Sequence, residues 1–171
     1  MGLFGRLLRK AAPPPPKVIF IGIDGTPYSF LQRMMREGVM HNLSRLASEG
    51  SLVENRSVYP TVSSVAWSSF MTGVNPAKHG IYGFIDRPLG SLQPFIPTAR
   101  HMRAPTLWRI LSDAGKRVIV LNVPVTYPPS PVNGVLVSGF LAPRLERATY
   151  PEELAAELSA MGYILDVDPW A

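Results

Sequence analysis

The stretch VIFIGIDGTPYSF, Val18 to Phe30, runs a short apolar segment into a single carboxylate and then straight into a helix start. Val18 to Ile23 is continuous, apolar and rich in β-branched residues, the pattern of a strand buried on both faces. Asp24 closes the run, Thr26 offers an N-cap hydroxyl, and Pro27 suits the first helical position. A strand passing directly into a helix is the opening of a layered α/β domain. In such sheets functional groups gather at the C-terminal edge, where Asp24 stands.

The same rhythm continues outward. Phe30, Leu31, Met34 and Met35 give the first helix an apolar stripe that ends at Gly38. A second helix is expected over Asn42 to Glu49, stopped by Gly50. Ser51 to Tyr59 reads as an irregular strand and Ser64 to Thr72 as a third helix with Ser63 at its N-cap. Farther on, a helix from Thr106 to Ala114 stops at Gly115 and leads into a buried strand, Arg117 to Asn122. GVLVSGF reads as one more strand and YPEELAAELSAMG as a helix with Pro151 in its first turn. Strand and helix alternating in this way predict an α/β fold with a mainly parallel sheet.

Before Lys17 the reading differs. Pro13 to Pro16 fit neither helix nor central strand, so residues 1–16 form a basic, proline-rich lead-in and the domain spans 17–171. Leu3, Phe4, Leu7 and Leu8 beside Arg6, Arg9 and Lys10 would suit a short helix on a membrane surface. A frayed cationic tail is the plainer reading. No cleavable signal pattern and no run of the ~20 apolar residues a spanning helix needs are present, which favours the cytoplasm.

Composition narrows the chemistry. A 171-residue chain with 46% hydrophobic and 17% charged residues can bury a core and is not a disordered sequence. Cysteine is absent, which excludes disulfides, thiolate metal sites and cysteine nucleophiles; a metal would need oxygen or imidazole donors, and the histidines are His41, His79 and His101. The net charge of +5 allows an anionic partner, but the basic residues are scattered, so a nucleic-acid groove is weakly supported.

Two stretches bear on chemistry. IGIDGTP approaches the aspartyl-phosphate motif D-x-D-G-T but has Gly22 where that mechanism needs its nucleophile. Neither a Walker A loop nor a G-x-G-x-x-G fingerprint occurs. In YPTVSSVAWSSFMTGVNPAKHGIYGF, Tyr59 to Phe84, Pro60 marks a turn and Ser63 stands at a helix start. The helix dipole there favours an alkoxide by only ~0.3–1 kcal/mol, so ionising the hydroxyl would take a bound cation, for which Asp24 is a candidate ligand. Read from the residues alone, Ser63 is a cap or a nucleophile, and Asp24 caps the helix, pairs with a base or ligates metal.

GIDG, the P-x-x-S-x-x-A-W-S-S-F-M-T-G-x-N-P-x-K-H-G-I pattern, LWRILSDAGKRVIVLNVPVTYPP and GVLVSGFLAP occur in this order from Lys17 onward. Together they resemble the type I phosphodiesterase/nucleotide pyrophosphatase family of the alkaline phosphatase superfamily. The resemblance implies a layered α/β/α domain and a hydrolase acting on small-molecule phosphate esters with two divalent metal ions, usually zinc. A metal-bound Ser or Thr attacks phosphorus and water then hydrolyses the phosphoenzyme. Carried over by position, Asp24 matches a metal ligand, and Ser63 matches the nucleophile and itself touches metal. His79 falls on the family's H-G-I turn and is not a ligand.

His41 stands where relatives often carry Pro and reads as a surface or cap residue; His101, in the Arg-rich ARHMRAP, reads as a loop residue that could meet an anionic substrate. Phe84 occupies the position where nucleotide-cleaving relatives often place an Asn against the phosphoryl oxygen, with Asp86 just beyond. The family's other ligands, Asp and His residues of its C-terminal half, have no counterparts up to DVDPWA. Two metals call for about seven to eight ligands, so the expectation is the N-terminal part of a larger enzyme, completed by that missing half and inactive alone. The competing readings are a catalytically silent anion- or partner-binding domain of the same fold, and another superfamily reaction such as a phosphomutase or phosphoryl-headgroup transfer.

Overall fold

The computed structural model describes residues 17–165. The 1–16 lead-in therefore lies outside the described residues, and so does any membrane-surface helix within it. The chain divides into two units, residues 1–45 and 46–171.

In the first unit, α1 spans Tyr28–Arg36 and α2 spans His41–Glu49, continuing past the division at residue 45. The N-cap of α1 is Pro27, in extended conformation and without a side-chain cap; the hydroxyl of Thr26 turns back to the carbonyl of Asp24 instead, at 3.3 Å. The expected cap thus closes a turn behind Asp24. On the surface of α1, Arg33 lies over the ring of Phe30 and within 4.0 Å of Glu37. Such exposed pairs contribute only ~0.2–1 kcal/mol.

Val18 to Ile23 corrects a sequence expectation. The segment forms no strand, and its side chains are exposed, Ile19 at 83%. Apolar β-branched content reports a preference for burial, but a strand exists only through a ladder to a neighbour. Among the described residues the sheet consists of three strands in the order β1-β2-β3, and Val18 to Ile23 pairs with none of them. Ser51 to Tyr59 likewise makes no ladder.

The second unit holds α3 (Ser63–Thr72), α4 (Pro76–His79), a 3-10 turn at Ala99–His101, and α5 (Leu107–Asp113). Then come β1 (Val118–Val123), β2 (Gly134–Ser138), a second 3-10 turn at Leu145–Arg147, β3 (Thr149–Tyr150) and α6 (Leu154–Ala160). The fold is mixed α/β. The sheet runs β1-β2-β3, with β1 and β2 parallel and the short β3 antiparallel to β2. Both longer strands fall where the sequence places them; β3 is too short to leave a pattern.

The core packs Met71 of α3, Ile81, Trp108 of α5, Val118 and Val120 of β1, Leu136 of β2, and Val125 and Val132 from the connections. Each such side chain contributes roughly 1.5–3 kcal/mol when taken fully out of water. The strand expected to be buried, β1, is covered on one face only: Val118 and Val120 are buried while Ile119 is 75% exposed. Gly134 lies against β1 with φ +144°, and a Cβ there would overlap the carbonyl of Val118, so the close parallel approach requires glycine.

The chain leaves the sheet under backbone strain. Asn122 (φ 57°), Val125 (φ 62°) and Leu141 (φ 77°) occupy the left-handed region just at or beyond the C-terminal ends of β1 and β2. The β1–β2 register shifts between Leu121 and Val123, placing an irregularity at Asn122. Non-glycine residues held in this region cost of order 1–3 kcal/mol each and cluster where structure serves a site. Among the described residues, no helix is long and apolar enough to cross a membrane.

Candidate active site

Ser63 owes its place to the turn before it. The carbonyl of Pro60 accepts the N–H of Val62 at 2.9 Å, and Val62, extended at φ −112° and ψ 139°, takes the N-cap position. Ser63 is therefore already helical, the first residue of α3, and not the cap the sequence suggested. This shift frees its hydroxyl from capping. Among the described residues, no hydrogen bond engages Ser63 Oγ, and the residue is half-buried. At the first turn of a helix the backbone N–H groups lack intrahelical partners and the dipole is positive, so the surroundings favour a phosphoryl oxygen and a serine oxyanion.

The serines that follow behave differently. Ser68 Oγ donates to the carbonyl of Ser64 and Thr72 Oγ1 to that of Ser68, both at 2.6 Å, the usual back-bond to the residue four before. Ser64 is 1% exposed, and its Oγ has no hydrogen-bond partner. The residue four before it is Pro60, outside the helix, so the back-bond its neighbours make is not made here.

His79 is the residue whose role sequence reasoning identified least completely. It ends α4, which begins after an Asn75 cap accepting Lys78 N–H, and it is 0% exposed. Its Nδ1 accepts the N–H of Ile81 at 3.1 Å, and its Nε2 lies 2.9 Å from Ser69 Oγ on α3. Burial pushes the imidazole below its ordinary pKa. The expected structural role on the H-G-I turn is sharpened to a specific link between that turn and α3. Nothing in the spacing of Ser69 and His79 announces this, because the turn at Gly73 intervenes.

Other candidates take structural places. His101 Nδ1 accepts the N–H of Thr98 at 3.0 Å and its ring tilts against Phe95, centroids 4.6 Å apart, so it is fixed within its own loop. His41 is the exposed first residue of α2. Asp86 Oδ2 accepts the N–H of Tyr82 at 3.1 Å, and its backbone pairs with Phe95. These bonds brace the loop carrying Phe84, which is 39% exposed and meets Phe140 edge to face at 5.8 Å. A cavity of about 180 Å³ lies between Met71, Met102, Trp108 and Val125; it does not include Ser63.

Asp24 belongs to the first unit, exposed, at the turn closed by Thr26, with no partner for its carboxylate among the described residues. Its surroundings test the two-metal expectation. Among the described residues no three His, Asp or Glu side chains gather as a group able to hold a metal ion. Asp24 and the oxygen of Ser63 are suitable donors in kind, but residues 17–165 do not by themselves make a two-metal centre.

No solved structure matches this chain. Residues 18–167, from the first apolar run through α6, match the type I phosphodiesterase / nucleotide pyrophosphatase family, and the chain belongs to it.

Proposed function

We propose that this chain is the nucleophile-bearing part of a phosphodiesterase or nucleotide-pyrophosphatase-type hydrolase with an alkaline-phosphatase-like α/β/α architecture, acting on small-molecule phosphate esters. The observation that supports this most is Ser63: a half-buried, unengaged serine in the first turn of α3, within a family match covering residues 18–167. In this reading Ser63 Oγ attacks phosphorus, the ester oxygen departs as an alcohol taking up the hydroxyl proton, and a phosphoserine remains. Water then cleaves the phosphorus–oxygen bond and restores the serine. The free N–H groups at the start of α3 would hold a phosphoryl oxygen as charge builds on it.

Asp24 is proposed as one ligand of a divalent-metal pair, zinc being the family's usual ion, which supplies Lewis-acid stabilisation in such enzymes. Because the described residues do not complete a donor set, the remaining donors are assigned to other residues, with residues 17–171 serving as the N-terminal part of the domain. A cytoplasmic location is part of the same proposal.

The test uses the full natural protein and a chromogenic phosphodiester. Ser63→Ala is expected to lower kcat by at least ~10³-fold and Asp24→Asn by ~10²-fold or more, in keeping with losses seen for nucleophiles and for ligand shells. Wild-type rates in both variants would overturn the assignment. Phe84, where nucleotide-cleaving relatives often carry Asn, favours screening non-nucleotide diesters beside nucleotide ones.

A further inference from the structure

The imidazole of His79 joins two segments that the sequence keeps apart. Its Nδ1 accepts from Ile81 N–H, so the neutral ring carries its proton on Nε2 and must donate it to Ser69 Oγ. Its backbone carbonyl accepts Arg103 N–H at 2.9 Å, while the Arg103 side chain lies against Gly80, where a Cβ would come within 2.9 Å of it. Ser69 stands in the second half of α3, and Ser63 opens the same helix. A short helix whose far end is pinned cannot rotate or slide without breaking that pin.

We propose that His79 is a positioning residue: as the Nε2–H tautomer it tethers α3 to the loop at Ile81 and thereby fixes where the first turn of α3, with Ser63, presents its hydroxyl. This rests on reading Ser63 as the nucleophile. The ring cannot serve Ser69 as a base, since Nε2 bears the proton and Nδ1 is engaged, so its contribution is geometric. Nor can it take up a second proton in place, because a proton on Nδ1 would point at the N–H of Ile81. The groups around it do not assist protonation. α3 carries no titratable side chain, Lys78 on α4 is exposed, and Arg103 brings positive charge to Gly80. Asp86, farther along the loop after Ile81, is engaged by Tyr82 N–H.

Two substitutions separate the tethers. In His79→Gln the side-chain amide can donate to Ser69 as Nε2 does; in His79→Asn the amide oxygen can accept from Ile81 as Nδ1 does, but the reach to α3 is lost. In the full natural protein, Gln is expected to retain at least about 10-fold more kcat than Asn with KM within about 2-fold, since small misplacements of a reacting group cost up to ~10²-fold. Equal loss in both, or better retention by Asn, would overturn the proposal. Two readouts stand apart from activity. Imidazole nitrogen chemical shifts of the wild-type protein should report an Nε2–H neutral ring, and amide exchange across α3 should be faster in the Asn variant than in the Gln variant. An Nδ1–H ring, or α3 exchange alike in the two variants, refutes the tether whatever the reaction proves to be. If Ser63→Ala stays active while ring and exchange behave as expected, it is the assignment of the nucleophile that fails.

Discussion

Ser64 and His79 show how neighbouring polar groups reach opposite solutions in one small region. Ser64 is buried with an unpartnered hydroxyl, and such a group costs ~1–3 kcal/mol of desolvation with no return. Ser64→Ala is therefore expected to raise unfolding free energy by about 1 kcal/mol in urea melts, and a loss of that size would mean that the hydroxyl is bonded in solution. His79 is also buried but uses both ring nitrogens, and burial lowers its pKa from 6.5. The folded state thus binds fewer protons than the unfolded one as pH drops, so stability from the neutral ring is complete above pH 6.5 and declines as pH falls through 6.5 towards the lowered folded value. Stability measured between pH 7 and 5 should fall more in wild type than in His79→Gln; parallel curves would exclude His79 as the source. At this scale the sequence was partly legible. That a helix starts beside Ser63 could be read from its position before an apolar-periodic run, whereas the Ser69–His79 link depends on how α3 and α4 pack and has no one-dimensional signature.

Elements were legible where local chemistry suffices. Thr106 before Leu107 is read as a helix start, and its hydroxyl accepts Arg109 N–H at 3.3 Å. Thr106→Ala should cost about 1 kcal/mol of stability in a denaturant titration, the usual worth of an N-cap, and no change would show that α5 is held by packing of Trp108 alone. β1 and β2 were legible for another reason: their β-branched runs lie on either side of a short connection and find each other in parallel. Gly134 makes their approach possible, so Gly134→Ala is expected to destabilise by more than about 1 kcal/mol, from a left-handed φ and from overlap with the Val118 carbonyl. Val18 to Ile23 was misread by the same rule that succeeded for β1. Composition signals that a segment suits a strand, while a ladder depends on which segments the chain brings side by side, and Val18 to Ile23 is paired with none among the described residues.

For the whole molecule, the α/β character followed from alternating elements, but the number and order of strands did not, because pairing is a long-range property. Asp24 and Ser63 are donors in kind, yet no three acidic or imidazole side chains gather among residues 17–165. A ligand that binds only the folded state stabilises it by RT ln(1 + [L]/Kd). If only one or two donors within residues 17–165 bind it, with a Kd of ~1 mM, ~0.1 mM zinc would add only about 0.06 kcal/mol, too little to move a melting temperature. The expected result is that zinc addition and chelator treatment leave the melting temperature of this chain unchanged to within about 1 °C, since ~1 kcal/mol is needed for a shift of ~2–4 °C at this size. A zinc-dependent rise of several degrees would show that the chain assembles a complete site through donors outside residues 17–165. Ser63 and Asp24 would then be the first positions to substitute, because loss of the rise in Asp24→Asn would place that carboxylate in the metal's shell independently of any turnover.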